Sequence, residues 1–368
     1  MSVKGQRAVL LRRLAAGARV GAAIAAIVAV SALPFDWARM GRTASLLAAG
    51  LQQPHNAAQV LGERLAPSEA VQSGAVQAPP NAATAPEDHT SLLPPVEEEA
   101  VPAVVAPKED GSGGKVITQK LDAGDTRSHG IATRNSSGKA VDIAAALSAK
   151  LTPKFTDTDA PQVLIIHTHT TEGYMTYDAG YYNAADRERT TDHARNVCAV
   201  GDAVVKALAE RGIAAIHDTT VHDSPYSGAY TRSAKTVQST LKEHPTVQVV
   251  LDLHRDALMS GSSGLVKPTV TVDGKKAAQM MIIAGVLSTD ALPNPHWQQN
   301  LALAAQWQKA LTARYDGLMR PLSTVGSRYN QHLHAGYLLV EVGSEGNTVA
   351  EAVYSGELLG KTLAELLK

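Results

Sequence analysis

The sequence predicts an α/β fold with a mainly parallel, mixed sheet and helices on both faces, preceded by a basic apolar N-terminus and a proline-rich linker. Three observations predict it. First, three aliphatic runs each end in a histidine or carboxylate: Ile165-Ile166-His167-Thr168-His169, Leu251-Asp252-Leu253-His254-Arg255-Asp256, and Leu339-Val340-Glu341-Val342-Gly343. Continuous apolar runs of this length are the mark of strands buried on both faces. Second, segments with apolar residues at helical spacing alternate with those strands, as βα units require. Third, aromatics are only 4% of the chain, so Ala, Val and Leu must build the core.

Taken in order, Lys4, Arg7, Arg12, Arg13 and Arg19 precede an uncharged stretch from Val20 to Phe35. A basic start followed by an apolar run reads as a signal anchor over residues 1–36, with the basic end in the cytoplasm and the remainder outside the cytoplasmic membrane. Val30-Ser31-Ala32 offers the alternative of cleavage and secretion. Residues 37–114 read as a linker, for Ala78-Pro79-Pro80, Leu93-Pro94-Pro95-Val96-Glu97-Glu98-Glu99 and Gly111-Ser112-Gly113-Gly114 lack the apolar surface that folding needs. The catalytic domain is expected over 115–368. Within it, helices are expected at Val141–Leu151, Asn196–Arg211 (closed by Gly212), Arg232–Leu241, Asn300–Ala313 and Ala350–Leu367. Strands are expected at Val163–Ile166, Ile213–Ile216, Val247–Leu251, Thr269–Val272, Met280–Ile283 and Tyr337–Val340.

Charge and cysteine content narrow the function. With 34 Lys+Arg against 35 Asp+Glu, and no basic run beyond the N-terminus, nucleic acid is disfavoured as a partner. A single cysteine, Cys198, excludes an intrachain disulfide and a multi-cysteine zinc cluster; it reads as a buried thiol. The strand-end polar residues carry the chemistry. His167 and His169 stand two apart, so on a continued strand they share a face, one as a metal ligand and the other as its neighbour. His254 supplies a second imidazole. Glu341, at the end of an apolar strand, reads as a general base. Glu172 or Asp192 completes a set of two imidazoles and a carboxylate suited to Zn2+. His217, His222 and Asp223 read as a solvent-exposed loop, with a substrate-groove role as the alternative.

These motifs, with Asn196-Val197, Tyr329-Asn330-Gln331 and Asn347, closely resemble the stage II sporulation protein P family over roughly Lys115 to Lys368. That family is similar in turn to the zinc-dependent N-acetylmuramoyl-L-alanine amidases. The resemblance implies an amidase-like fold, His169, His254 and Asp192 as zinc ligands with Glu172 in reserve for the third, and Glu341 as the catalytic base. His167 takes the place of a proline beside the first ligand, and Arg255 or Arg232 is the expected holder of stem-peptide carboxylates. It further implies a membrane-anchored peptidoglycan hydrolase acting on the lactyl–L-alanine amide, with endopeptidase action also in the family's range and a lytic transglycosylase as partner. The alternative is a tethered wall-binding scaffold without catalysis.

Overall fold

The structure, a computed structural model, describes residues 105–122, 127–187, 189–261 and 264–368. The anchor expected over 1–36 and most of the linker over 37–114 lie outside the described residues. Among the described residues no helix is long and apolar enough to cross a membrane.

The main sheet holds eight strands: β2 (Arg127–Ser128), β3 (Ile131–Asn135), β4 (Val163–Ile166), β6 (Ala215–His217), β7 (Val249–Asp256), β11 (Met280–Gly285), β12 (Leu322–Val325) and β13 (Tyr337–Ser344). Their order is β2-β3-β12-β11-β13-β7-β4-β6. β13, β7, β4 and β6 run parallel, as do β3, β12 and β11, and the two blocks meet antiparallel where β11 pairs with β13. The fold is therefore mixed α/β, as expected. A second, five-stranded sheet was not foreseen as a unit. In it β9 (Gly264–Val272) is flanked by β10 (Lys275–Ala278), β8 (Met259–Ser260) and β1 (Gly114–Gln119), and β1 pairs with β5 (Tyr181–Tyr182). Described residues ahead of 115 also make contacts: Ala106 packs on the cluster of Val116, Met175, Tyr177, Tyr182 and Leu265, and the Asp110 amide donates to Asn183 Oδ1 at 3.0 Å.

Among the described residues five α-helices cover the main sheet: α1 (Ile143–Ser148), α2 (Val197–Ala209), α3 (Ala229–Glu243), α4 (Trp297–Arg314) and α5 (Val349–Leu367). Strand alternation decides which face each helix meets. Val163, Ile165, Val249, Leu251, Leu253, Leu338 and Val340 point into the large core shared with α1, α2, α4 and α5. Leu164, Ile166, Val250 and Tyr337 point to the other face and pack on Val237 of α3. Local chemistry sets the helix starts: the Asn196 side chain accepts from the Cys198 amide, and Thr348 with Glu351 forms a reciprocal capping box.

α2 and α5 approach closely because α5 offers glycine at the contact. A Cβ on Gly356 would lie 2.8 Å from the Val200 carbonyl oxygen, and one on Gly360 would lie 2.9 Å from Ala207 Cβ. Gly356→Val is expected to cost about 1–3 kcal/mol, the usual scale of overpacking, read as a lower urea midpoint at an unchanged slope.

Candidate metal centre

The sheet register brings His254 of β7 opposite Glu341 of β13. Directly paired residues of neighbouring strands project to the same face, here the α3 side, which also carries Asp252. Just past Glu341, Gly343 takes φ +65° and the pairing with β7 shifts by Ser344. A Cβ there would stand 2.6 Å from Asn347 Oδ1, whose oxygen accepts from the Ser344 amide, so the bulge that ends the strand needs glycine.

β4 ends at Ile166, and the turn that follows supplies the other two groups. His169, Glu172 and His254 each offer a ligand atom within 4.8 Å of the others, all buried or nearly so. Glu172 bridges the rings: Oε1 lies 3.4 Å from His169 Nδ1 and Oε2 lies 3.4 Å from His254 Nδ1. Two ligands held roughly 2.0–2.1 Å from one zinc at a tetrahedral angle stand roughly 3.4 Å apart, so the spacing suits the ion. The Glu172 carboxylate is fixed by the Arg255 amide at 3.1 Å. Asp252 lies 2.9 Å from His254 Nε2, close enough to pair electrostatically though not aligned for a hydrogen bond. It also accepts from the Thr168 amide and hydroxyl at 2.8 and 2.6 Å, which locks the turn. Tyr226 stacks on the His169 ring at 4.6 Å.

The electrostatics are compatible with a cation at this place. Burial works against ionisation of Glu172, yet hydrogen bonds from His169 and His254 hold its carboxyl well below the usual range. Burial likewise works against a charged His254, but Asp252 and Glu172 raise it well above an ordinary imidazole. Between two carboxylates a proton on His254 supplies the positive charge, and a metal on Nδ1 would displace it. Glu341 has the opposite character. Burial, then the Asp256 carboxylate, push it up to about 8, and its Oε2 has no hydrogen-bond partner. At neutral pH the metal-free fold therefore keeps Glu341 protonated, and a cation beside His254 would lower it and free a carboxylate able to take a proton.

Several expected site residues have other work. Asp192 is exposed and caps the short turn His193–Arg195 through the Ala194 amide at 3.1 Å; it does not join the histidines. The carboxylate that does is Glu172, the reserve candidate, because the turn after β4 folds back three residues beyond His169. His167 points to the opposite face of the sheet, its Nδ1 3.0 Å from the Leu253 carbonyl, and burial holds it down at about 3. Arg232 donates to the His222 carbonyl at 2.6 Å and to Ser227 and Pro225 carbonyls, bracing that loop. Arg255 donates to the Gly173 carbonyl at 2.8 Å and pairs with Glu345 at 3.3 Å, so it too is engaged within the protein.

The expectation of a solvent-exposed loop at His222 and Asp223 is corrected: both are buried. His222 Nδ1 bonds the His167 carbonyl at 3.0 Å, and Asp223 accepts from the Thr171 hydroxyl at 2.6 Å. The reading had missed Arg189, whose side chain is 37% exposed at the rim. It contacts Asp223 at 2.5 Å and Glu172 at 3.5 Å, and lies over the Tyr226 ring. No strand or motif signals it, since it stands in an irregular segment. Asp252 is visible within its motif, but only the structure shows its carboxylate 2.9 Å from His254 Nε2.

Solved structures with similarity include the N-acetylmuramoyl-L-alanine amidase of Clostridium difficile 630 (13% identity, 57% of this chain and 95% of that one, TM-score 0.33). The catalytic domain of CwlV, an amidase from Bacillus (Paenibacillus) polymyxa var. colistinus, gives 14% identity over 56% of this chain and 99% of that one, with TM-score 0.32. The stage II sporulation protein P of Bacillus subtilis (strain 168) is 27% identical over 226 residues, 58% of this chain, and the match spans about half of that relative, 53% of its length. The model of the stage II sporulation protein P family matches residues 82–364, well over half of the 368 residues, and the chain belongs to that family.

Proposed function

We propose that this protein is a peptidoglycan hydrolase, a zinc-dependent N-acetylmuramoyl-L-alanine amidase that cleaves the stem peptide from the glycan strand. The single observation that carries the reading is the buried His169–Glu172–His254 group with Glu341 set across from His254 on the neighbouring strand. His169 Nδ1, His254 Nδ1 and a Glu172 oxygen are the atoms that would hold the ion. Zinc in such a set polarises a carbonyl and acidifies water.

The chain's own residues do the rest. Glu341 takes a proton from the attacking water on Oε2 and passes it to the departing amide nitrogen. Asp252 and Thr168 keep the His254 ring and the His169 turn in place, as outer partners of ligands commonly do. Arg189, 37% exposed and beside Glu172, is the arginine with side-chain surface left to meet a stem-peptide carboxylate, although it also pairs with Asp223. Attachment to the cytoplasmic membrane through residues 1–36, an extracytoplasmic catalytic domain and a lytic transglycosylase partner belong to the same proposal.

Digestion of purified sacculi, with zinc present or chelated, tests it by mass spectrometry of the released products. Intact stem peptides and peptide-free glycan, formed only with zinc, are expected. Shortened peptides still attached to sugar would replace the amidase reading with an endopeptidase. No product from a folded, zinc-loaded chain, even with a transglycosylase added, would leave a wall-binding scaffold.

A further inference from the structure

A second group of ligand atoms lies on the sheet face opposite Glu341. His167 Nε2, Cys198 Sγ and His217 Nε2 stand within 4.8 Å of one another, contributed by the end of β4, the first turn of α2 and the end of β6. Each ring is oriented through its other nitrogen. His167 Nδ1 meets the Leu253 carbonyl at 3.0 Å, and His217 Nδ1 meets Asp202 Oδ1 at 2.9 Å. Both partners can only accept, so in two neutral rings each Nδ1 carries the hydrogen and each Nε2 is left with a lone pair. The two Nε2 atoms nevertheless lie 2.9 Å apart. Lone pairs facing each other at that distance repel unless a cation sits between them. Carbonyl and carboxylate acceptors on the outer nitrogens are also what metal-bound histidines have.

Gly201 supplies the room. A Cβ there would lie 2.3 Å from His217 Nε2 and 3.0 Å from His167 Nε2, filling the space in front of the pair. Cys198 is buried and is the chain's one cysteine.

We propose that His167, Cys198 and His217 form a second metal site, independent of the His169 centre, for a thiophilic divalent ion of the zinc class. One thiolate with two imidazoles selects such ions over magnesium or calcium. Binding parts the two Nε2 atoms to roughly 3.3 Å and draws Sγ inward, the spacing that zinc–nitrogen and zinc–sulfur bonds require. The cysteine proton leaves to solvent as the ion enters, and Asp202, 71% exposed, marks the side from which both pass. The occupied site ties β4, β6 and α2 together two residues before His169.

Cobalt titration of the metal-stripped full chain tests this. With a single cysteine, a thiolate-to-cobalt charge-transfer band in the unmutated protein can arise only at Cys198. Two cobalt ions per chain are expected, one of them developing that band, and zinc should displace it. Cys198→Ser should abolish the band and one equivalent, whereas Glu172→Ala should abolish the other equivalent and keep the band. His217→Gln should weaken the band-forming ion by tenfold or more. Absence of the band in the unmutated chain at saturation would overturn the proposal and leave a shared proton between the rings. A band with unchanged affinity in His217→Gln would overturn the assigned ligands. Loss of only the Glu172-dependent ion bears on the His169 centre and leaves this site standing.

Discussion

Glu341→Gln lowers turnover on peptidoglycan by about 10²–10⁴-fold, the usual worth of a positioned acid/base, while stoichiometric zinc is retained. Glutamine keeps the shape and removes only the ability to take a proton. The same variant has a signature in the metal-free protein. Glu341 titrates near 8 in the fold against an ordinary 4.5, because burial and then the Asp256 carboxylate disfavour its charge. Below 4.5 the group is protonated whether the chain is folded or not. Between 4.5 and about 8 only the unfolded chain ionises it, so this residue lowers stability as pH rises through that window. In chelator, Glu341→Gln should therefore melt above the parent at pH 8 and close to it at pH 4.5. Zinc retained with turnover undiminished would remove Glu341 as the base.

Glu172→Ala abolishes stoichiometric zinc binding at the His169 centre and takes hydrolysis with it, whereas Asp192→Ala leaves both. The two substitutions divide what the family resemblance left open. Glu172 touches both imidazoles, at 3.4 Å each, and its loss removes the carboxylate they share. Asp192 gives up one hydrogen bond at the start of an exposed turn, a loss of about 1 kcal/mol. Metal content by mass spectrometry with the rate on sacculi reads the difference. Full zinc in Glu172→Ala, or loss of zinc in Asp192→Ala, would reverse the assignment.

What could be read from the residues follows from the physics that places them. β4 and the starts of β7 and β13 were visible because buried strands need unbroken aliphatic runs, and α2 because Asn196 and Gly212 mark its ends. β3 and β12 escaped: each is short and carries polar residues, Thr133 and Arg134 in one and Ser323 and Thr324 in the other. The small second sheet escaped because pairing between residues as distant as Val116 and Leu265 leaves no local pattern. His169, His254 and Glu341 could be named since each follows a strand signal. The third carboxylate could not be chosen, because the path of the chain after β4 depends on Asp252 gripping Thr168 from another strand. His167 defeated the two-residue rule for the same reason, for the strand ends before it and the chain turns.

The central position of β13 sets the order in which the site can come into being. It is the last strand along the chain, yet it stands between β11 and β7. A nascent chain that has exposed everything up to Gly336 has two half-sheets with unpaired inner edges and no Glu341. Docking β13 closes contacts of long sequence separation, the slow kind in folding. Its arrival completes the sheet and delivers the base in one event. A chain cut short before Tyr337 is thus expected to be without activity and prone to pair through its bare edges with other chains.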